Sequence, residues 1–365
     1  MQIMTRVNRG GTAKWLEILA DGLAHRGCES PILCGNVQNG ETEDPIFKDF
    51  NVTRISKMGR SISLINDLSS IFQIRRQIKV QRPDIVNTHT SKAGLLGRLA
   101  VITIPRNKPA VVHTYHGHLL YGYFSKNKTR ALVLIENFLS KFTQMIIVSG
   151  SRVKDELLMA GVGKKSQYFL MKPGIEEPKF ADRHSARQSL GLSEDQIVVG
   201  WLGRFAEVKK PERVLLLASM NPHIKFVMGG NGELFDLISK SALPNLTLTG
   251  WSTPEFLWGI SDIGILTSDN EAQPIALVEA AMAGIPTIAL NVGSIEGVIT
   301  NGETGYLVND TTSMSEKINE LAKNAKLRVQ MGEKAKAKML SEFNVATFIE
   351  SHLKVYELAL KKTVG

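Results

Sequence analysis

The feature that most constrains this chain is a repeated alternation of two kinds of segment. Short, almost uninterrupted apolar runs rich in β-branched residues are followed by longer amphipathic stretches. The runs include Asp84-Ile-Val-Asn-Thr, Ala110-Val-Val-His-Thr, Met145-Ile-Ile-Val-Ser, Ile197-Val-Val-Gly-Trp, Lys225-Phe-Val-Met, Ile263-Gly-Ile-Leu-Thr and Thr287-Ile-Ala-Leu. A run that is apolar on successive residues offers no face to water, so it suits a strand covered on both sides, which implies a parallel sheet. The intervening stretches, such as Ala13 to Arg26, Leu64 to Val80, Thr129 to Lys141 and Ala272 to Ala283, have helical spacing. Strand and helix in alternation imply right-handed crossovers and an open, doubly wound α/β sheet.

At 365 residues the chain exceeds one ordinary core and suits two domains. The alternation pauses once, between Lys172 and Asp195, where Pro173-Gly-Ile-Glu-Glu-Pro and a short charged helix read as a linker. This predicts one Rossmann-like domain over residues 1–175 and a second over 190–344. Residues 345–365 have helical spacing and can return to the first domain.

Charge and composition narrow the function classes. Forty-four basic against 35 acidic residues give a net charge of +9, which attracts phosphorylated small molecules or an anionic membrane surface. The densest basic runs are short dipeptides without interleaved aromatics, so no nucleic-acid partner is expected. The two cysteines, Cys28 and Cys34, make no disulfide framework, and no Cys/His spacing matches a metal site. No apolar run reaches the ~18–20 residues that span a bilayer, and the N-terminus lacks an apolar signal core. The expectation is a cytoplasmic protein, soluble or peripheral at the inner face of the plasma membrane.

The segment richest in chemistry is Leu266-Thr-Ser-Asp-Asn-Glu-Ala-Gln-Pro-Ile-Ala-Leu-Val-Glu-Ala-Ala-Met-Ala-Gly-Ile-Pro. A strand ends near Thr267, and a helix begins near Pro274, a residue favoured in a first turn. The amides around Pro274, Ile275 and Ala276 at that helix start suit a phosphate. Glu271 lies just before the helix and Glu279 inside it, so the two can hold hydroxyls on either side of that phosphate. A dipole-favoured Glu271 and a solvated Glu279 would be the plainer explanation. Against it, Glu279 stands in a very apolar helix, where a carboxylate is costly without a partner.

Glu271 and Glu279, with seven residues between them and running into Ala-Gly-Ile-Pro-Thr-Ile-Ala, resemble the paired-glutamate motif of the family-4 retaining glycosyltransferases. Asn291-Val-Gly-Ser-Ile-Glu-Gly-Val-Ile and Asn301-Gly-Glu-Thr-Gly-Tyr-Leu-Val are similar to that family's closing pattern, so the resemblance covers nearly the whole chain. It implies the GT-B fold, two Rossmann-like domains facing across a cleft. It also implies a retaining, metal-independent hexosyltransferase with no cofactor beyond its nucleotide-sugar donor. Glu271 would contact the donor sugar and Glu279 the ribose. Departures are Ala272, where the family commonly has glycine, and Gly297, where it often has an acidic residue.

Other clusters gain meaning beside that resemblance. Gly203-Arg-Phe-Ala-Glu-Val-Lys-Lys-Pro leaves a strand end, and an arginine fork with a lysine point charge suits a diphosphate, although a solvated basic loop fits too. The resemblance assigns that role to Arg204 and Lys209 rather than Lys210. Adjacent Gly10 and Gly11 allow close backbone approach at a helix start, or a tight turn. The resemblance turns this loop toward the donor, with Thr12 an acceptor-side candidate. In His113-Thr-Tyr-His-Gly-His the family match is His116, near the reacting carbon, with His118 the acceptor-side alternative. His89 and Lys92 are acceptor-side candidates that packing or capping would explain equally. Gly229 and Gly230 are either nucleotide contacts or turn residues.

Together these imply transfer of a sugar from a nucleotide-diphosphate donor, UDP favoured over GDP or ADP, to a saccharide or lipid-linked acceptor in surface polysaccharide synthesis. A nucleotide-sugar 2-epimerase of the same fold, or a non-catalytic nucleotide- or carbohydrate-binding protein, is the alternative.

Overall fold

The computed structural model describes residues 1–8, 10–37, 42–59, 61–117, 126–241, 243–271 and 274–364. The chain forms two compact units, residues 1–175 with 343–365, and residues 176–342. The first contains β1 (Gln2–Met4), α1 (Gly11–His25), β2 (Ile32–Cys34), β3 (Val52–Arg54), α2 (Leu64–Gln81), β4 (Ile85–His89), α3 (Ser91–Ile102), β5 (Ala110–Tyr115), α4 (Lys126–Ser140), β6 (Met145–Val148), α5 (Ser151–Met159) and β7 (Tyr168–Leu170). Its strands are all parallel, in the order β3-β2-β1-β4-β5-β6-β7.

The second unit contains α6 (Arg183–Ser189), β8 (Val198–Leu202), α7 (Glu212–Met220), β9 (Lys225–Gly229), α8 (Phe235–Ser239), β10 (Leu246–Gly250), α9 (Pro254–Ile260), β11 (Ile263–Leu266), α10 (Ile275–Met282), β12 (Thr287–Leu290), β13 (Gly305–Val308), α11 (Thr311–Lys323) and α12 (Ala325–Glu342). Its parallel order is β10-β9-β8-β11-β12-β13. Helix α13 (Val345–Val364) belongs to the first unit. Strand order reverses between β1 and β4 in one sheet and between β8 and β11 in the other, the points where doubly wound sheets bind ligands.

The apolar runs are the buried strands: β6 and β11 have no exposed residue, and Ile146, Ile147, Ile263 and Ile288 sit fully inside. In the first unit α3 covers one sheet face, packing on β1, β4 and β5, while α13 lies on β4, β5 and β6 beside α1. Right-handed crossovers place α2, α3 and α4 on the same face, because each carries the chain in the same direction across the sheet. The seam between α1 and α13 is tight. Trp15, Ile18, Leu19, Phe348, Ile349 and Tyr356 share one cluster.

The stretch expected as a linker is instead built into the second unit. Arg187 on α6 is fully buried, donates to the carbonyls of Ser193, Glu194, Gln196 and Ile260, and pairs with Asp262 at 2.7 Å. The unit therefore starts at residue 176 rather than 190. A charged short helix looks solvated in sequence because its anchors lie some seventy positions away.

Candidate active site

In the second unit the loops after β8 and β11 meet at the switch point. The loop after β8 passes through a tight helical turn, Glu207–Lys209, that turns Lys209 toward the end of β11. Thr267, fully buried, fastens the two loops: its hydroxyl donates to the Lys209 carbonyl at 2.9 Å and receives the Trp201 indole N–H at 3.1 Å. Asp269 N–H donates to the Val208 carbonyl at 2.9 Å. With backbone registered in this way, the Lys209 ammonium donates to Glu271 Oε1, which also accepts from the Ser268 hydroxyl at 2.7 Å. Glu271 is largely buried, so each charge needs the other: a carboxylate in that setting is costly unless paired and hydrogen-bonded.

Lys210 is turned elsewhere, 3.7 Å from both Glu212 and Asp269, and Arg213 takes Asp269 at 2.7 Å. Arg204 stands at the exposed edge of its loop, 3.8 Å from Glu233. Pro274 precedes α10, and the amides of Ile275 and Ala276 fall in its first turn, where N–H groups lack intrahelical acceptors. Glu279 lies about one turn further along the same helix and is half-buried.

Glycine is required here mainly by protein backbone. Gly230 has φ +130°, and a Cβ on it would stand 1.9 Å from the Gly203 carbonyl oxygen. The need at Gly230 is thus met by the approach of the Gly203 loop, which makes it a structural position rather than evidence of nucleotide contact. Gly229 closes β9 and is buried.

Sequence reasoning passed over Ser268, Thr267 and Gly293. Gly293 has φ +59°, and a Cβ there would lie 1.8 Å from the Glu271 carbonyl oxygen, which accepts the Ser294 N–H at 2.9 Å. The loop after β12 therefore sets the height of Glu271. Gly293→Ala is expected to lower the melting temperature, because its Cβ meets backbone at a positive φ, and to lower kcat/KM by roughly 10–100-fold through misplacement of that carboxylate. Steady-state kinetics beside a thermal melt check this. Unchanged kinetics would mean the loop does not set the carboxylate.

In the first unit a second group of side chains gathers around the carboxyl ends of β4 and β5, joined by Gln2 from the start of β1. His116 follows β5, and its Nε2 lies 3.0 Å from His89 Nδ1. His89 Nε2 lies 2.9 Å from Gln2 Oε1, while the Gln2 amide nitrogen donates to Tyr356 Oη at 3.2 Å and Ser30 Oγ at 3.3 Å. With the Gln2 amide oxygen toward the ring, His89 donates from Nε2 to Gln2 and accepts at Nδ1 from the Nε2–H of His116. His116 is left with Nδ1 as a lone-pair acceptor, and its ring is held edge-on to Trp15 at 5.2 Å. Gly10, with φ +149°, and exposed Gly11 open α1, with Thr12 in its first turn.

Two acceptor-side expectations are corrected. His89 is fully buried, so it reaches no ligand directly; its ring is hydrogen-bonded to that of His116. Lys92 is 2.7 Å from Asp67 and donates to the Ser61 carbonyl, so its ammonium is held against the start of α2. His118 lies outside the described residues.

Burial holds these rings neutral. Desolvation, with His352 nearby, lowers His116 to about 3, and desolvation lowers His352 to about 4. Desolvation also takes His89 and His113 well below the usual range, helped by His116 at the first and Arg98 at the second. The unfolded chain binds protons near pH 6.5 that the folded chain refuses. Stability is therefore full above that value and is lost as pH falls from about 6.5 toward the lowered values. The melting temperature of the first unit is expected to drop between about pH 7 and pH 5; a flat profile would contradict the buried neutral rings.

Two family models match the chain: Glycosyltransferase Family 4 over residues 9–168 and Glycosyl transferases group 1 over residues 182–338. The chain is 25% identical, over 87% of each sequence, to the Escherichia coli UDP-Gal:alpha-D-GlcNAc-diphosphoundecaprenol alpha-1,3-galactosyltransferase. It is 24% identical to the Staphylococcus aureus capsular polysaccharide biosynthesis glycosyltransferase CapM, over 87% of this chain and 88% of that one. Among solved structures, Anabaena HepE in complex with UDP matches with a TM-score of 0.82 over 98% of each chain at 17% identity, a likeness of fold.

Proposed function

The chain belongs to the family-4 glycosyltransferases of GT-B fold, and from that premise we propose a retaining, metal-independent transfer of a hexose from a UDP-sugar to a lipid-linked saccharide in surface polysaccharide synthesis. The observation that carries the reading is the Lys209–Glu271 pair at the β8/β11 switch point, beside the opening of α10. It joins a cation suited to a diphosphate and a carboxylate suited to sugar hydroxyls. The relatives named for a diphosphoundecaprenol acceptor and for capsular polysaccharide supply the acceptor class.

In this reading Lys209 and Arg204 face the donor diphosphate together with the first amides of α10. Glu271 orients the sugar and Glu279 takes the ribose hydroxyls. The bond between the anomeric carbon and the phosphate oxygen breaks, and its electron pair leaves with the nucleotide. The acceptor hydroxyl bonds to the same face of that carbon and its proton passes to the departing phosphate. Stabilising charge that develops on the leaving oxygen is the chief contribution asked of the protein. His116, neutral and fixed in one tautomer, offers Nδ1 to a sugar hydroxyl and carries no proton to the leaving group.

Calorimetric titration of UDP, GDP and ADP tests the donor side. UDP is expected to bind, and Glu279→Ala to weaken it by about 10-fold or more, the loss of a hydrogen bond to a charged group. Binding of none of the three by folded protein would refute the donor site.

A further inference from the structure

Helix α2 is amphipathic in an unusual sense. Its inner face, Ser70, Ile74 and Ile78, is buried on the first unit, as expected of a covering helix. Its outer face begins with Leu64, Ile65, Leu68 and Phe72, preceded by Ile62, and these five are 57–89% exposed. At 3.6 residues per turn the same arc continues through Arg75, Arg76 and Lys79. The helix has one acidic residue, Asp67, and it is taken up sideways by Lys92. The outer face is therefore apolar in its first half, basic in its second, and free of acid.

Helix α4 repeats the pattern. Leu134, Ile135 and Phe138 are exposed, as is Phe142 just beyond its end, while Glu136, Leu139 and Ser140 turn inward. Exposed Lys128, Arg130 and Lys141 flank the apolar stripe. The helix's acidic residue, Glu136, is buried against Arg98 at 2.7 Å. Helix α3 touches both α2 and α4, and all three lie on one face of the sheet. A soluble surface seldom gathers so many large apolar side chains, and such patches mark docking sites.

We propose that the outer faces of α2 and α4 form the surface by which this protein lies on an anionic bilayer. The apolar residues enter the headgroup boundary and the arginines and lysines meet the lipid charges, as an interfacial helix does. Both helices keep acid away from that face, which is the complementarity an anionic surface requires and which a second copy of the same basic face would not supply. The inference deepens the proposed function, because a bilayer surface is where a lipid-linked acceptor resides.

The test is co-sedimentation of the full chain with vesicles of phosphatidylcholine alone and of phosphatidylcholine with phosphatidylglycerol, both without acceptor. Binding is expected to the anionic vesicles only, and to weaken with salt. Phe72→Glu and, separately, Arg75→Gln with Arg76→Gln are expected to lower it about 10-fold or more, with unchanged melting temperature. Val329→Glu, which removes an exposed apolar residue of the second unit, should not. Equal binding by all variants, or none by wild type, would overturn the proposal, as would sedimentation velocity showing that Phe72→Glu dissolves a dimer. Transfer to a water-soluble acceptor separates the two readings. If it persists while vesicle binding fails, only the docking surface falls; if vesicle binding holds but no UDP-sugar is turned over, the functional reading falls.

Discussion

Replacing Lys209 with alanine is expected to lower kcat/KM for a UDP-sugar by about 10²–10³-fold, the range seen when a fixed donor to a developing negative charge is removed. The loss should fall mainly on kcat. The ammonium gains most from the charge that appears as the anomeric bond breaks, and interactions that strengthen only there speed the reaction. Lys210→Ala is the matched control. That lysine is a side chain of the same type one residue on, occupied by Glu212 and Asp269, and should change kcat/KM little. Lys209→Arg should recover part of the activity by keeping the charge, though a planar fork replaces a point charge. Equal effects at Lys209 and Lys210 would remove the special role of the Glu271 pair.

Arg98→Ala is expected to destabilise the first unit by about 3–5 kcal/mol, the cost of leaving one member of a buried ion pair alone. Arg98 and Glu136 are 1% and 2% exposed, 2.7 Å apart, and the Tyr115 hydroxyl donates to the same carboxylate oxygen at 2.5 Å. Arg98 also donates from Nε to the Gly94 carbonyl at 2.8 Å, so its loss frees two acceptors inside the α3–α4 seam. The drop in melting temperature should be on the order of 10 °C. Arg98→Met combined with Glu136→Met should recover much of it, because removing both charges removes the desolvation cost of each. A single mutant as stable as wild type would show that water reaches the pair.

Much of the architecture was legible because each strand declared itself locally. Runs such as Met145-Ile-Ile-Val read as strand from their own residues, and so did the helical spacing between them. The strands that escaped, β2, β3, β7, β10 and β13, are short or lie toward the sheet edges. Val52-Thr-Arg and Leu246-Thr-Leu-Thr carry polar residues because an edge meets water on one side. The order of strands and the return of α13 to the first sheet depend on contacts far apart in sequence, which no local pattern encodes.

For the site, sequence by itself determined residue chemistry and grouping: glutamates before and inside one helix, lysines after one strand, histidines at the ends of two others. Only the tertiary structure decided which partner each of these meets and how deeply each is buried. It turned Lys209, which the resemblance already favoured, to Glu271 by locking Thr267 to the Lys209 carbonyl, and turned Lys210 to Glu212 and Asp269. It withdrew Lys92 into Asp67, and buried His89 behind His116. It also brought in Ser268 and Gly293, whose importance lies in what they touch. The reason is physical. A side chain's charge and hydrogen-bonding capacity are intrinsic to its type, whereas its solvation and its partner are properties of position.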